Sequence, residues 1–206
     1  YSCWGGLSGS FEPNKDSWHS EYTELKSLLT EEEYAAARSS TLTAFYTPPE
    51  VIDAMYTTLR KMGVGAGTIL EPSMGAGAFF GQSHSYLYEP TTRLFGVELD
   101  SLTGRIARQL YQKANIQITG FEKADLPDSF FDVVIGNVPF GDYSVVDPQY
   151  NRLHFKIHDY FFAKSIDKLR TGGIIAFITT SGTLDKKSEE VRRYCLLYTS
   201  DAADDK

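Results

Sequence analysis

The segment DVVIGNVPFGDY, residues 132–143, begins as an apolar run and ends in residues that could grip a polar ligand. Asn137 carries an amide oxygen, and the backbone carbonyl of Val138 would supply a second hydrogen-bond acceptor. Pro139 restricts the turn that aims this carbonyl, and Phe140 offers a ring that could stack on a flat group. The two acceptors could hold the two hydrogens of an aromatic amine. By itself, the segment is better explained as an ordinary exit from a strand with Phe140 in the core, and the amine site is predicted only together with the motifs below.

A second candidate site lies in LEPSMGAGAFFG, where Gly75 and Gly77 form a turn that a ligand can approach closely. A dinucleotide fingerprint would need a third glycine at the position of Phe80, so the match to that fingerprint fails. Glu71 and Pro72 come just before the turn. The Glu71 carboxylate would repel a pyrophosphate but attract a cation, such as the ammonium and sulfonium groups of S-adenosylmethionine. The alternative is a structural turn with Glu71 in solvent.

Acidic residues follow two further apolar runs. Glu98 lies about 20 residues beyond Gly77, where nucleotide-binding α/β domains place the carboxylate that holds the ribose hydroxyls. Leu99 would then form an apolar wall for an adenine. A helix cap formed by Asp100 is an equally weighted alternative. Asp125, after the next run, could accept a hydrogen bond from the amine of that adenine, although an aspartate in a turn is the alternative.

Apolar runs alternate with helical patterns along most of the chain. Strands are predicted at TILEP, RLFGVELD, NIQITG, FDVVIGN and GGIIAFITT, and helices near Ser101–Lys113 and His158–Arg170. Such alternation predicts a doubly wound α/β domain, in which a mostly parallel sheet is covered by helices on both faces. Ligands bind beyond the carboxyl ends of such strands, which is where the residues described above lie.

Two helix starts are predicted before the first strand. Thr30 and Glu33 form a capping box for a short helix. Thr47 can cap a longer helix that runs from about Pro48 to Met62, with a proline in its first turn. Residues 1–45 are therefore predicted to form an aromatic and helical arm ahead of the domain.

The composition excludes several classes of protein. With 206 residues and a hydrophobic share of 42%, the chain can bury one core. Its formal net charge of -7 argues against a dedicated nucleic-acid clamp. Cys3 and Cys195 suggest neither a disulfide framework nor a thiolate metal site, and a cytoplasmic location is predicted. No apolar run is long enough for a membrane span. His154 and His158 have no ligand cluster beside them, so no metal is predicted.

Taken together and in this order, the motifs resemble the N6-adenine DNA methyltransferases of the gamma arrangement, in which the cofactor motif precedes the Asn-Pro-Pro-aromatic motif. TAFYTPPEV is similar to the family segment that closes over the methionine end of the cofactor, which points to Tyr46, Thr47 and Pro48. The resemblance implies a Rossmann-like fold, S-adenosylmethionine as cofactor, and transfer of its methyl group to adenine in DNA. Val138 stands where the family has proline, which is expected to loosen the turn.

The resemblance thus implies two sets of site residues. The catalytic set is Asn137, Val138, Pro139 and Phe140. The cofactor-binding set is Tyr46, Thr47, Pro48, Glu71, Pro72, Gly75, Gly77, Glu98, Leu99 and Asp125.

A closer likeness extends from Trp4 to Tyr194. WGGL, LEPSMGAGAFFG, FGVELD, GNVPFGDY and HDYFFAKSIDKLRTGGIIAFIT resemble the methyltransferase module of large methylase-helicase proteins of bacterial mobile elements. This likeness implies double-stranded DNA as substrate, a helicase domain elsewhere in a longer chain, and a methyltransferase domain over residues 46–194 that is truncated after its fifth strand. Residues 195–206 show neither helical nor strand periodicity, resemble translated adapter sequence, and are predicted to be a non-native tail.

Two other functions remain open. Enzymes that methylate a glutamine amide of a protein, or structured RNA, resemble this chain in using an Asn-Pro-Pro-Tyr site, although Phe140 without a hydroxyl favours a stacked base. A catalytically silent module that binds the cofactor is a further alternative. A cytosine C5 methyltransferase is excluded, because such an enzyme needs a cysteine nucleophile beside its substrate and none lies near the predicted strand ends.

Overall fold

The computed structural model describes residues 4, 6–41, 47–65, 67–86, 91–180 and 189–200. The strands are β1 (Thr68–Glu71), β2 (Arg93–Glu98), β3 (Asn115–Ile118), β4 (Phe131–Asn137) and β5 (Leu169–Ile178). They form one parallel sheet in the order β3-β2-β1-β4-β5. The predicted α/β fold is confirmed. The strand order reverses between β1 and β4, which is where such sheets bind their ligands.

Helices precede, connect and follow these strands. They are α1 (His19–Leu28), α2 (Glu31–Ser40), α3 (Pro49–Lys61), α4 (Ala78–Tyr86), α5 (Ser101–Leu110), α6 (Ile157–Lys168) and α7 (Glu190–Ser200). Short 3-10 helices occur at Ser8–Phe11, Asp16–Trp18, Phe121–Lys123 and Asn151–Leu153. Within the described ranges, none of the helices has both the length and the apolar character needed to cross a membrane.

The core is divided between the two faces of the sheet, because successive side chains of a strand point to opposite faces. Ile69 of β1 lies in a buried cluster with Tyr56 of α3. The next residue, Leu70, lies in a second buried cluster with Tyr160 of α6 and Val191 of α7. All four residues of β1 are buried, as expected for a central strand that is covered on both sides.

Several helix ends differ from those predicted, and α5 ends at Leu110 instead of Lys113. α3 begins at Pro49, one residue later than expected, and Thr47 makes no capping hydrogen bond. Pro49 has no backbone N–H that a capping side chain would have to bind. The Thr47 hydroxyl is therefore free to bind a partner outside α3. α6 ends at Lys168 instead of Arg170, because Leu169 already pairs with β4.

The N-terminal arm packs on α5. The predicted capping box is present: Glu33 N–H donates to Thr30 Oγ1 at 3.2 Å, and Thr30 N–H donates to Glu33 Oε2 at 3.1 Å. The Glu33 carboxylate also pairs with Arg105 of α5 at 2.7 Å. Tyr34 is buried within the arm, and Leu102 of α5 packs against its cluster. These contacts join the arm to the α/β domain.

The last described helix extends into the segment for which no helical pattern is predicted. α7 continues through residues 195–200, so the expectation of irregular structure from Cys195 onward is wrong for these six positions. The first half of the helix is well anchored, since Val191 is buried and the Tyr194 hydroxyl donates to Asp167 at 3.0 Å. The non-native origin of residues 195–206 stays a prediction.

Candidate active site

A cavity of about 430 Å³ lies at the carboxyl ends of the central strands, within the size range of small-ligand sites. The turn after β1, the end of β2, and the segments after β3 and β4 form its wall. Eight of the residues predicted from the sequence lie on this wall: Thr47, Glu71, Pro72, Gly75, Glu98, Leu99, Asn137 and Pro139. No group of three or more His, Cys, Asp or Glu among the described residues could hold a metal ion.

Glu71, the last residue of β1, is a buried carboxyl group whose Oε2 atom has no hydrogen-bond partner. Burial raises its pKa well above the usual range, and the neighbouring charge of Glu98 raises it further. A buried carboxylate needs a compensating charge, and a cation in the cavity would supply one. The site therefore fits the cationic ligand that the sequence predicts next to this residue.

Glu98, at the end of β2, reaches across to the glycine turn. Its Oε2 accepts a hydrogen bond from Gly75 N–H and its Oε1 accepts one from Asp100 N–H, both at 2.8 Å. Burial raises the pKa of Glu98 to about 7, although these hydrogen bonds act to lower it. Asp100 caps α5, accepting from the N–H groups of Leu102 and Thr103 at 3.4 and 3.1 Å. Asp100 also lies on the cavity wall, but its carboxylate is engaged in capping α5, whereas Glu98 binds the glycine turn.

The two glycines of the turn serve different purposes. Gly75 and Gly77 have φ angles of 55° and 87°, in the left-handed region that favours glycine. Gly75 lies on the cavity wall. Gly77 instead packs against Tyr111: its carbonyl accepts from the Tyr111 hydroxyl at 2.7 Å, and a Cβ atom at Gly77 would lie 2.4 Å from the ring. Because Gly77 has no side chain, the Tyr111 ring can pack directly against the backbone of the turn.

Gly77→Ala is expected to destabilise the fold by about 2–4 kcal/mol, because it combines a strained φ angle with a clash in a packed region. Thermal unfolding followed by circular dichroism measures this effect. Gly63→Ala is the matched control, since Gly63 has a φ angle of 83° but nothing within 4 Å of its added Cβ. Equal losses in the two variants would mean that contact with Tyr111 contributes nothing.

Asn137 ends β4 at the cavity. Its Nδ2 donates to Thr47 Oγ1 at 3.2 Å, whereas its Oδ1 is buried without a hydrogen-bond partner. Val138 is fully buried, and its N–H donates to the carbonyl of Ile178 in β5 at 3.2 Å. A proline at position 138 could not make this bond. Valine therefore gains a backbone hydrogen bond to β5 that proline lacks, and a looser turn at this position stays a prediction.

Four other predicted residues lie off the cavity wall or outside the described residues. Asp125 is exposed and is not on the cavity wall. The side chain of Gln117 binds its backbone N–H and carbonyl at 2.8 and 2.6 Å. A role for Asp125 in binding the cofactor stays a prediction. Phe140 is half-buried and Pro48 exposed, and neither lies on the wall. Tyr46 lies outside the described residues.

The cavity also includes residues that sequence reasoning missed. They are Ser73, Tyr111, Phe121, Glu122 and Tyr143, among others. Phe121 and Glu122 follow the third strand more closely than Asp125 does, and this proximity was the available signal. Tyr143 is the last residue of the segment 132–143, three residues beyond Phe140 of the predicted amine site. Ser73 lies in the turn after β1, and nothing in its local sequence distinguishes it.

Comparison with known proteins gives one family and several similar folds. A sequence model described as "N-6 DNA Methylase" matches residues 28–197. "Defense against restriction protein B" of Escherichia phage P1 is 30% identical over 139 residues, which is 65% of this chain but 6% of that protein. This chain therefore spans only a small part of that relative's length.

Two solved structures illustrate the shared fold. The type I restriction-modification methyltransferase subunit from Streptococcus thermophilus has a TM-score of 0.65 and 18% identity, over 88% of this chain and 46% of that one. A protein described as a class I S-adenosylmethionine-dependent methyltransferase from Listeria monocytogenes has a TM-score of 0.59 and 15% identity, over 94% of this chain and 69% of that one. At such identities these likenesses establish the fold alone.

Proposed function

Because the chain belongs to the N-6 DNA methylase family, we propose that it transfers the methyl group of S-adenosylmethionine to the N6 amine of adenine in DNA. The observation that carries this proposal is the amide oxygen of Asn137, which is buried at the cavity without a hydrogen-bond partner. Buried acceptors are nearly always paired, so an unpaired one at a ligand site indicates that a donor arrives with the substrate. The amine of a flipped adenine is such a donor.

The cavity residues fit the proposed cofactor. When bound, S-adenosylmethionine supplies an electrophilic methyl group. Glu71 would compensate its positive charge, and Glu98 would accept hydrogen bonds from its ribose hydroxyls. Leu99, whose side chain is largely exposed on the cavity wall, would contact the adenine ring. Gly75 would let the backbone approach the ligand without a side chain in between.

The chain's contribution to the reaction is to hold the amine. An aromatic amine is a weak nucleophile, because its lone pair is delocalised into the ring. Asn137 Oδ1 and the carbonyl of Val138 would accept its two hydrogens and turn the lone pair out of the ring plane. Phe140, half-buried beyond the cavity, would stack on the extruded base. No strong base is needed, since the amine loses its proton after it has become cationic.

The proposal is tested by incubating the protein with methyl-labelled S-adenosylmethionine and mixed-sequence double-stranded DNA. The DNA is then digested to nucleosides, and N6-methyladenine is quantified by mass spectrometry. Label in that nucleoside is the expected result. Label in protein or RNA substrates offered in parallel, with none in DNA, would instead identify a glutamine or RNA methyltransferase. Cofactor binding without any transfer would identify a silent module.

Glu98→Ala is expected to weaken cofactor binding by roughly 1–3 kcal/mol, because it removes charge-assisted hydrogen bonds to the ribose. Isothermal titration calorimetry with S-adenosylmethionine measures the change. Glu50→Ala is the control, since Glu50 is exposed on α3 and lies away from the cavity wall. Unchanged affinity in the Glu98 variant would show that Glu98 does not bind the ribose of the cofactor.

The partners remain proposals of the same kind. We propose double-stranded DNA as the substrate, since the target base must be extruded from a duplex. A helicase domain in the same polypeptide follows from the resemblance to methylase-helicase proteins. The complete reading frame that carries this chain would test it directly, and a frame without helicase motifs would contradict it.

A further inference from the structure

We propose that Thr47 and Ser73 are positioning residues for Asn137, and that together they orient both acceptors of the amine site. This inference rests on the proposed function and adds to it the groups that set the geometry of transfer. Neither residue needs to touch the amine. Each one acts through a hydrogen bond to Asn137.

Thr47 holds the side chain of Asn137. It is buried, lies just before α3, and its Oγ1 accepts from Asn137 Nδ2 at 3.2 Å. This bond engages the nitrogen end of the amide and leaves Oδ1 for an incoming donor. If the amide rotated by half a turn, its NH₂ group would face the amine of the substrate, and two donors would meet. Because the Thr47 hydroxyl can both donate and accept, the bond does not by itself choose between these two orientations. It holds the plane of the amide, and in the structure it engages Nδ2 while Oδ1 has no partner.

Ser73 holds the main chain at the same place. Its hydroxyl donates to the backbone carbonyl of Asn137 at 3.0 Å, and the N–H of the same peptide unit, from Val138, donates to Ile178 at 3.2 Å. Both polar ends of this peptide plane are thus bound. Because the next carbonyl in the chain belongs to Val138, fixing this plane constrains where the second acceptor points.

Both positioning residues line the cavity that is proposed to hold the cofactor. Thr47 enters it from the segment before α3, and Ser73 enters it from the turn after β1. The two acceptors of the amine site are therefore held by the walls of the cofactor cavity. Misplacing a reacting group by about 1 Å can reduce a rate by ~100-fold, so loss of either contact should lower turnover more than binding.

The decisive variant is Thr47→Val, which keeps the shape of the side chain and removes its oxygen. At saturating cofactor, we expect kcat for DNA methylation to fall roughly 10–100-fold. This change should exceed the change in the cofactor dissociation constant, which calorimetry measures separately because Thr47 also belongs to the predicted cofactor-binding set. Thr47→Ser, which restores the hydroxyl, should recover most of the loss. Thr58→Val is the matched control, because the Thr58 hydroxyl is exposed and bonds only within α3.

Ser73→Ala tests the main-chain contact in the same assay, with Ser27→Ala as its control on the exposed surface of the arm. A fall in kcat with unchanged cofactor affinity supports the inference. Unchanged kcat in both Thr47→Val and Ser73→Ala overturns it. A loss in Thr47→Val that is fully explained by weaker cofactor binding also overturns it, and makes Thr47 a cofactor ligand instead.

A readout without turnover separates this inference from the proposed function. The side-chain amide of Asn137 is followed by ¹H–¹⁵N NMR in the parent protein and assigned from its loss in Asn137→Ala. Its resonances should shift in Thr47→Val but not in Thr58→Val. If the parent protein methylates nothing, the proposed function fails, whereas the NMR shift still supports the hydrogen bond. An unshifted amide overturns the inference whatever the activity.

Discussion

Asn137→Ala is expected to reduce methyl transfer to DNA by at least ~100–1,000-fold, comparable to the loss of one preorganised hydrogen-bonding group at other active sites. Cofactor affinity should be unchanged. The physical reason is that the Asn137 amide oxygen has no partner within the protein. Removing this oxygen therefore leaves no donor of the protein without its acceptor. A methyltransferase assay with labelled cofactor, paired with calorimetry, measures both quantities.

The folding cost of the same substitution should be small. Only the Nδ2 bond to Thr47 is lost, and a single hydrogen bond contributes about 1 kcal/mol. Asn115→Ala is the control, because Asn115 is an exposed asparagine on β3, away from the cavity wall. If Asn137→Ala instead loses its circular dichroism signal at room temperature, Asn137 is a structural residue and the segment is an ordinary strand exit.

Cofactor binding is expected to strengthen as the pH rises from about 6 to about 8. In the free protein, burial raises the pKa of Glu71 well above its usual range and that of Glu98 to about 7. Glu98 therefore holds a proton at the acidic end of this window, and the raised pKa of Glu71 favours its protonated form in the same direction. A cation next to Glu71 favours its carboxylate form, so binding releases a proton and is favoured by higher pH.

The stability of the free protein should change in the opposite direction. A carboxyl group whose folded pKa is raised contributes stability that is fully present below the unfolded pKa, near 4.5, and is lost as pH rises through the folded pKa. For Glu98 that window ends at about pH 7. The melting temperature without cofactor should therefore fall across this range, while the increase produced by cofactor should grow.

Calorimetry in two buffers of different ionisation enthalpy counts the protons released on binding. Glu71→Gln should flatten the pH dependence of cofactor binding and weaken binding by roughly 10–100-fold, because it removes the carboxylate charge that faces the cofactor cation. Glu50→Gln, on the exposed face of α3, should leave the affinity and its pH dependence unchanged. Affinity that does not vary with pH in the parent protein would show that neither carboxyl group changes its protonation when the cofactor binds.

Much of the site was readable from the sequence because of one geometric rule. Parallel strands of a doubly wound sheet present their carboxyl ends at the same edge, so the residues that end three apolar runs must lie near one another. Glu71, Glu98 and Asn137 are such residues, and the structure brings all three to one cavity. The rule requires only periodicity and residue type, which are properties of the sequence.

The rule fails where the chain leaves a strand by more than one short turn. The position of Asp125 after the third apolar run predicts that it lies at the cavity, yet the residues of this segment on the cavity wall are earlier ones, among them Phe121 and Glu122. The backbone of Asp125 is bound by the side chain of Gln117. Local sequence cannot show which of several loop residues faces inward, because that depends on what packs beneath the loop.

By itself, the sequence determined the alternation of strands and helices, the glycine turn, and the strand ends on which the carboxyl groups and the amide lie. Only the tertiary structure decided what those groups bind. Thr47 and Ser73 reach Asn137 from positions 90 and 64 residues away, and Tyr111 closes on Gly77 from 34 residues away. Periodicity and propensity are properties of neighbouring residues, whereas these contacts depend on strand register and on packing between elements that are distant in the chain.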